Sequence, residues 1–198
     1  MKDNCTKKCC ENKSNSLYIK RILRMIGPVI LGSKPVEIIN IPGDINEKEI
    51  KIYQIKSFFS NCCKITYRFI NTCDGGKRVL FINEKQLAKV LSNKRCINFL
   101  KFMGYTSEYE LNNYIDELIS RLESEEFPHE IGIFLGYPLK DVLGFMGYGR
   151  KELVGTCNWK IYGDKEISYR IYNNFVRDKE IMKELVDTLS MSELRKVI

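Results

Sequence analysis

Hydrophobic and polar positions along the chain follow a helical period first and an extended period next. Apolar residues recur at near-helical spacing at Leu17, Ile22, Met25 and Ile26. The Gly27-Pro28 pair predicts the end of this helix, because proline lacks the amide hydrogen that a helix interior uses. The stretch "PVILGSKPVEIINIP" then predicts extended structure, broken by a Gly-Ser-Lys-Pro turn.

The stretch "KITYRFINTCDGGKRVLFIN" predicts a β-hairpin. Apolar and polar residues alternate from Ile65 to Phe69, and the run "VLFI" returns after a "DGG" sequence that suits a tight turn. The Gly-Lys pair in this turn does not make a phosphate-binding P-loop. That motif requires a glycine where the chain has Asn71, and a serine or threonine where it has Arg78.

Polar residues suited to helix caps mark most of the remaining helix starts. Asp44 predicts a helix over about residues 45–59 with buried side chains at Ile50, Tyr53, Ile55 and Phe58. Further starts are predicted at Asn83, Ser107 and Asp164. The helix after Ser107 has an apolar stripe at Leu111, Tyr114, Ile115, Leu118 and Leu122. The helix after Asp164 is predicted to run to about residue 189.

Two short helices are predicted in the stretch "FPHEIGIFLGYPLKDVLGFM". Pro128 suits the first helical position, since its missing amide hydrogen is not needed there. Gly136 ends the first helix, and Pro138 starts the second. After them, "TCNWKIYGD" has the β-branched and aromatic residues of a strand.

The sum of these elements predicts a helix-rich α+β fold. It has a small, partly antiparallel sheet of about four strands, including one β-hairpin. Residues 1–14 are predicted to be a disordered tail with little to bury, and residues 15–198 a single domain. With 44% hydrophobic residues, including 10 Phe, 11 Tyr and one Trp, the domain can form a core without a metal or a disulfide.

Charge and cysteine usage narrow the class of protein. No apolar run approaches the about 20 residues that span a bilayer, and the polar N-terminus lacks a signal peptide's apolar middle. We therefore expect a cytoplasmic protein without a membrane partner, whose eight cysteines stay reduced. Cys5, Cys9 and Cys10 give a cysteine-rich tail, which is either incidental or able to hold a soft metal. A net charge of +7 is too small to indicate a nucleic-acid partner.

Chemistry could involve His129, the only histidine, and Cys157. At a helix start the dipole disfavours the imidazolium, so a neutral His129 could act as a base or as a metal ligand. It could equally be a structural residue that ties a turn to the backbone. His129-Glu130 does not begin a zinc-protease motif, because Ile133 stands where that motif has its second histidine. A Cys157 thiolate near His129 could be a nucleophile, and a buried inert thiol is the alternative.

Three quoted stretches resemble a known family. "FPHEIGIFLGYPLKDVLGFM" resembles the central signature of a bacterial family catalogued as domain of unknown function 3793, which occurs in anaerobic, spore-forming bacteria. "GPVILGSKP" resembles its early "APTLAGLK" segment, and "CNWKIYGD" its late "GYWKVYGD" segment, so the resemblance covers about residues 28–164. It implies that Lys34, His129 and residues 159–164 share one constellation. Many members carry a cysteine where this chain has Ile26, so a function of that thiol would be lost here or supplied by Cys157.

These observations favour a non-enzymatic module that binds a small molecule or a protein partner in a cleft. The residues expected to contact the ligand are Lys34, His129, Glu130, Tyr137, Trp159 and Tyr162. The alternative is a thiol- or metal-dependent enzyme or redox protein that uses Cys157 and His129. The sequence identifies no cofactor, and it leaves open whether the protein is an enzyme.

Overall fold

A computed structural model describes the backbone of residues 3–198 and the side-chain surroundings from residue 17 onward. Over that range the helices are α1 (Asp3–Leu31), α2 (Ile45–Phe59), α3 (Glu84–Leu91), α4 (Lys94–Phe102), α5 (Leu111–Leu122), α6 (Ile131–Phe134), α7 (Leu139–Phe145), α8 (Lys165–Thr188) and α9 (Met191–Val197). The strands are β1 (Val36–Asn40), β2 (Thr66–Asn71), β3 (Lys77–Ile82), β4 (Leu153–Thr156) and β5 (Lys160–Tyr162). The predicted helix-rich α+β class is confirmed. The prediction of a disordered tail over residues 1–14 stays a prediction, because it includes residues outside the described part. The side chains of Cys5, Cys9 and Cys10 also lie outside the described part.

The strands form two antiparallel sheets, where the sequence predicted one. The larger has the order β1-β3-β2, and the smaller pairs β4 with β5. The predicted hairpin is confirmed as β2 and β3, with Thr66 opposite Ile82 and Asn71 opposite Lys77. β1 occupies the other edge of β3, antiparallel to it.

The central strand β3 separates two hydrophobic cores, because its side chains alternate between two buried faces. Val79 and Phe81 face the core that α1, α2 and α8 cover. Leu80 and Ile82 face the core built with α3, α4, α5 and α6. A third, smaller cluster of Trp159, Ile161 and Phe175 joins β5 to α8.

The first helix does not end at Gly27-Pro28, as predicted, but continues to Leu31. Its packing against α8 explains the continuation. A Cβ atom on Gly27 would lie 2.5 Å from the Cβ of Met182, so the glycine lets the two helices approach closely. Burial of the surrounding apolar residues offsets the one backbone hydrogen bond that Pro28 removes. The prediction of extended structure from Pro28 onward is therefore wrong up to Leu31.

Helix caps were predicted with mixed success. Asp44, Asn83 and Asp164 each accept a hydrogen bond from a backbone amide in the first turn of the following helix, as predicted. Ser107 does not cap α5, which begins at Leu111 without a side-chain cap. The Tyr114 hydroxyl donates to the Thr106 carbonyl at 3.0 Å and holds the preceding segment in a non-helical path.

Burial was predicted well for α5 and less well for α2. Tyr114, Ile115, Leu118 and Leu122 of the α5 stripe are buried, and Leu111 packs against the same core. On α2, Ile55 and Phe58 are buried, whereas Ile50 and Tyr53 are 56% and 72% exposed. These two residues lie on the side of the helix opposite Ile55. None of the helices in the described part of the chain has the length and apolar character needed to cross a bilayer.

Candidate functional site

A cleft of about 510 Å³ lies between the α6–α7 region and the β4–β5 hairpin. Its walls are largely apolar and aromatic, with a few polar groups. The lining residues are Phe127, His129, Ile131, Gly132, Leu135, Tyr137, Asp141, Val142, Phe145, Thr156, Asn158, Trp159 and Lys160. The quoted signature of residues 127–146 therefore supplies one wall, and the hairpin supplies the other.

Folding brings His129 and Trp159 to the walls of the same cleft. His129 is exposed, and its ring meets Phe145 edge-on at 5.2 Å between centroids and lies 6.0 Å from Phe127. Trp159 is buried and stacks on Tyr137, with ring centroids 4.3 Å apart and planes 19° apart. The rings of His129 and Trp159 are thus not buried in separate parts of the core.

His129 does not stand at a helix start, because α6 spans only Ile131–Phe134. Pro128 is buried in the preceding turn, where its carbonyl accepts from the amide of Ile131 at 3.1 Å. The prediction that Pro128 opens a helix is therefore wrong, and the dipole argument for a neutral imidazole loses its basis.

A buried polar network fixes the floor of the cleft. Asp141 on α7 is only 2% exposed and accepts from four donors. Its Oδ2 accepts from Trp159 Nε1 at 2.9 Å and from Ser168 Oγ at 2.6 Å. Its Oδ1 accepts from Tyr162 N at 2.8 Å and from Lys140 Nζ at 2.6 Å. One carboxylate thus ties together α7, β5 and α8, and it orients the indole.

Lys140 completes this network. Its Nζ also donates to the Tyr162 carbonyl at 2.9 Å and to Ser168 Oγ at 2.8 Å. All three ammonium hydrogens therefore have partners, and the buried charge of Asp141 has a cation beside it. A buried ion pair with its remaining groups satisfied in this way avoids the cost of leaving a polar atom unpaired.

Tyr162 was predicted to contact a ligand, but its ring packs against α7. A Cβ atom on Gly144 would lie 2.3 Å from the Tyr162 Cγ, so the glycine makes room for the ring. Tyr162 is not among the residues that line the cleft. Its position indicates a structural contact between β5 and α7.

Lys34 lies beside the aromatic stack, outside the cleft lining. It is buried, and its Nζ is 2.7 Å from Glu37 Oε2. The same Nζ lies 5.7 Å from the centre of the Tyr137 ring and 5.6 Å from that of Phe175. Burial raises the pKa of Tyr137 to about 12, and the negative charges of Glu37 and the Cys157 thiolate act in the same direction. Lys34 thus lies next to Tyr137, which lines the cleft, but does not line the cleft itself.

Glu130 was predicted to contact a ligand and turns instead into the α5 side of the core. It is 2% exposed, and its Oε1 lies 3.2 Å from Arg121 Nη1. Tyr105 donates its hydroxyl to the same oxygen at 3.4 Å. Burial and the carboxylate of Glu130 raise the pKa of Tyr105. The paired, buried carboxylate indicates a structural role.

Cys157 faces the cluster around Trp159, Ile161 and Phe175, while its neighbours Thr156 and Asn158 line the cleft. Its thiol lies 3.7 Å from the Trp159 carbonyl, and no hydrogen bond joins it to His129 within the described part of the chain. Cys96 is buried, and burial raises the pKa of its thiol. From residue 17 onward, no three His, Cys, Asp or Glu side chains lie close enough to hold a metal ion.

Sequence reasoning missed several residues that build the site. The most important are Lys140, Asp141, Ser168 and Phe145. The adjacent Lys140-Asp141 pair inside an apolar helix was a signal, because such polar pairs are buried only with partners. No signal in the sequence marked Ser168 as a partner of this pair.

A family described as "Protein of unknown function (DUF3793)" matches residues 22–195, and the match includes all of the cleft. No curated protein and no solved structure matches the chain. Ile26 of α1, the position where the resemblance implies a cysteine in other members, is fully buried in the core that α1, α2 and α8 cover. Because the match covers most of the chain, the protein belongs to this family of proteins of unknown function.

Proposed function

We propose that the protein binds a small, largely apolar molecule in the cleft between α6–α7 and the β4–β5 hairpin, without catalysing a reaction on it. The observation that supports this most is the fixed indole of Trp159 in the wall of a concave aromatic cleft. A volume of about 510 Å³ lies within the range of about 300–1,000 Å³ that is usual for small-molecule sites.

The shape favours a small molecule over a protein partner. Protein interfaces bury about 800 Å² on each side and are commonly broad. The cleft of this chain is instead concave, and its largely apolar walls include Trp159 and Val142. A few polar side chains at Thr156, Asn158 and Lys160 can orient a bound molecule.

The arrangement of polar groups favours binding over catalysis. Asp141, the acidic residue of the lining, already accepts from four donors and cannot serve as a free general base. His129 has no hydrogen bond to a nucleophile within the described residues, and its ring contacts are with Phe127 and Phe145. The residues of the cleft therefore provide contact area and orientation.

The only tryptophan of the chain makes the proposal directly testable. Titration with phenylnaphthylamine, an uncharged aromatic probe, should quench or shift Trp159 fluorescence and saturate at one probe per protein. Thr156→Phe places a larger side chain into the cleft and should weaken binding at least about tenfold, a loss of about 1.4 kcal/mol.

Val154→Phe is the matched control. Val154 lies on the same strand, is 45% exposed and does not line the cleft. This variant should bind the probe as the unsubstituted protein does. Equal weakening by both substitutions, or a probe signal that never saturates, would refute the proposal.

A further inference from the structure

The charges at the mouth of the cleft identify the class of ligand. Resting on the proposed function, we infer that the molecule bound there is an organic anion: an apolar, preferably aromatic body with a carboxylate, sulfonate or similar group at one end. The apolar body would lie against Trp159 and the aliphatic walls, and the anionic group would lie at the mouth. The inference rests on three observations.

The first observation is that each exposed aromatic ring at the mouth has a cation over it. Phe127 and Phe145 are 46% and 49% exposed, and both line the cleft. The Arg78 guanidinium lies 5.7 Å from the centre of the Phe127 ring, and Lys160 Nζ lies 5.6 Å from that of Phe145. His129 lies in contact with both rings. Lys160 and the imidazole of His129 therefore lie at the opening, and the Arg78 guanidinium lies over one of its rings.

The second observation is that neither cation forms a salt bridge in the part of the chain that the structure describes. Lys160 makes no salt bridge there, and it belongs to the cleft lining. Arg78 donates through Nε to the neutral side chain of Asn40 at 3.1 Å. The charge of Lys160 is thus available to a ligand, whereas the charge of Arg78 also acts on the carboxylate of Asp74, whose pKa it helps to lower.

The third observation concerns the negative charges nearby. Asp141 is the acidic residue of the lining, and its charge is matched by Lys140 and by three further donors. Glu125 and Glu126 precede Phe127, but both are exposed and neither lines the cleft. An anion at the mouth would therefore meet Lys160 without an opposing carboxylate in the wall.

Two fluorescent probes that differ by one charged group test the inference. Anilinonaphthalene sulfonate carries the same aromatic body as phenylnaphthylamine and adds a sulfonate. The unsubstituted protein should bind the sulfonate at least about fivefold more tightly, a preference that should shrink as salt is added. Lys160→Gln should remove most of this preference, because it should weaken binding of the sulfonate much more than binding of the uncharged probe.

Lys165→Gln is the matched control, since Lys165 is an exposed lysine outside the cleft and its loss changes the net charge equally. Thr156→Phe should weaken both probes and so assign them to the cleft. If the uncharged probe fails to bind, the proposed function itself fails. If the uncharged probe binds but the sulfonate binds no more tightly, the cleft binds apolar molecules and only the inference about the anion is overturned. Equal effects of Lys160→Gln and Lys165→Gln would likewise overturn it.

Discussion

Replacement of Asp141 by asparagine should destabilise the protein more than any other single exchange of a carboxylate for an amide in the described core. Asparagine keeps the size of the side chain but turns one acceptor oxygen into a donor. That donor would face two groups that are themselves donors: Trp159 Nε1 and Ser168 Oγ on one side, or Tyr162 N and Lys140 Nζ on the other. Two hydrogen bonds are lost if the amide nitrogen faces Tyr162 N and Lys140 Nζ, and at least the Trp159 bond is lost in the other orientation, where the Ser168 hydroxyl can turn to accept.

The magnitude follows from the burial and the charge of the network. The side chains of Asp141 and Lys140 are only 1% and 13% exposed, so solvent cannot replace the lost partner. Breaking a buried ion pair by neutralising one member costs about 3–5 kcal/mol. A hydrogen bond to a charged group contributes about 1.5–3 kcal/mol, so the loss of one or two of them gives a cost of the same order. We expect Asp141→Asn to lower the free energy of unfolding by about 3–5 kcal/mol.

Urea unfolding, followed by Trp159 fluorescence and by far-ultraviolet circular dichroism, measures this cost. The midpoint should fall with little change in the slope, because the surface exposed on unfolding stays the same. Lys140→Met breaks the same ion pair and should also cost about 3–5 kcal/mol, since it leaves the Asp141 charge buried with three uncharged donors. Asp187→Asn, which breaks an exposed pair with Arg24, should cost within about 1 kcal/mol. If Asp141→Asn costs no more than Asp187→Asn, the network does not hold the cleft together.

Three further predictions concern other buried contacts. Gly27→Ala should lower the melting temperature, because the Cβ of the alanine would meet Met182. Glycine-to-alanine changes inside helices usually raise the melting temperature, and such a rise here would contradict the close α1–α8 packing. Tyr137 has a pKa of about 12 in the folded protein against about 10 when unfolded, so its stabilisation is complete below pH 10 and is lost as the pH rises from about 10 to 12. Stability measured across that range should fall less in Tyr137→Phe than in the unsubstituted protein, and equal losses would refute the assignment. Glu37→Gln should lower the free energy of unfolding in urea by about 1–3 kcal/mol, because it leaves Lys34 buried without its partner. The double variant Lys34→Met/Glu37→Leu should recover most of that loss. A double variant as unstable as the single one would show that the pair is not the cause.

Elements with local signals were predicted correctly from the sequence. The hairpin of β2 and β3 depends on alternation and on a short turn, both of which are visible within twenty residues of sequence. The caps at Asp44, Asn83 and Asp164 depend on a side chain and an amide only two or three residues away. Such contacts form with little help from the rest of the chain.

Errors arose where distant packing overrides a local preference. Gly27-Pro28 usually ends a helix, but here the glycine is the contact surface for Met182 on α8. Ser107 could cap a helix, but the Tyr114 hydroxyl binds the segment before α5. Ile50 and Tyr53 are apolar, yet they lie on the side of α2 away from the core, so their burial could not be read from residue type.

The candidate site was predicted in part. The sequence singled out His129, Tyr137 and Trp159, and all three line one cleft. It also singled out Glu130, Lys34 and Tyr162, which lie next to these residues in the chain or in the fold but have structural partners of their own. Neighbouring positions of one segment point to opposite sides, and the sequence does not state which side meets solvent.

The buried network gives a physical reason to connect the stability of this fold with binding in the cleft. A side chain that must be ordered by a ligand adds an entropic cost of about 0.5–1.5 kcal/mol to binding. Trp159 adds no such cost, because its side chain is already ordered in the free protein. Asp141 holds its indole nitrogen and Tyr137 holds its ring face. The mouth is different: Phe127, Phe145 and His129 are exposed and held by ring contacts. The proposed binding would therefore use a rigid floor for apolar contact and an exposed rim, with Lys160 beside it, to select among ligands.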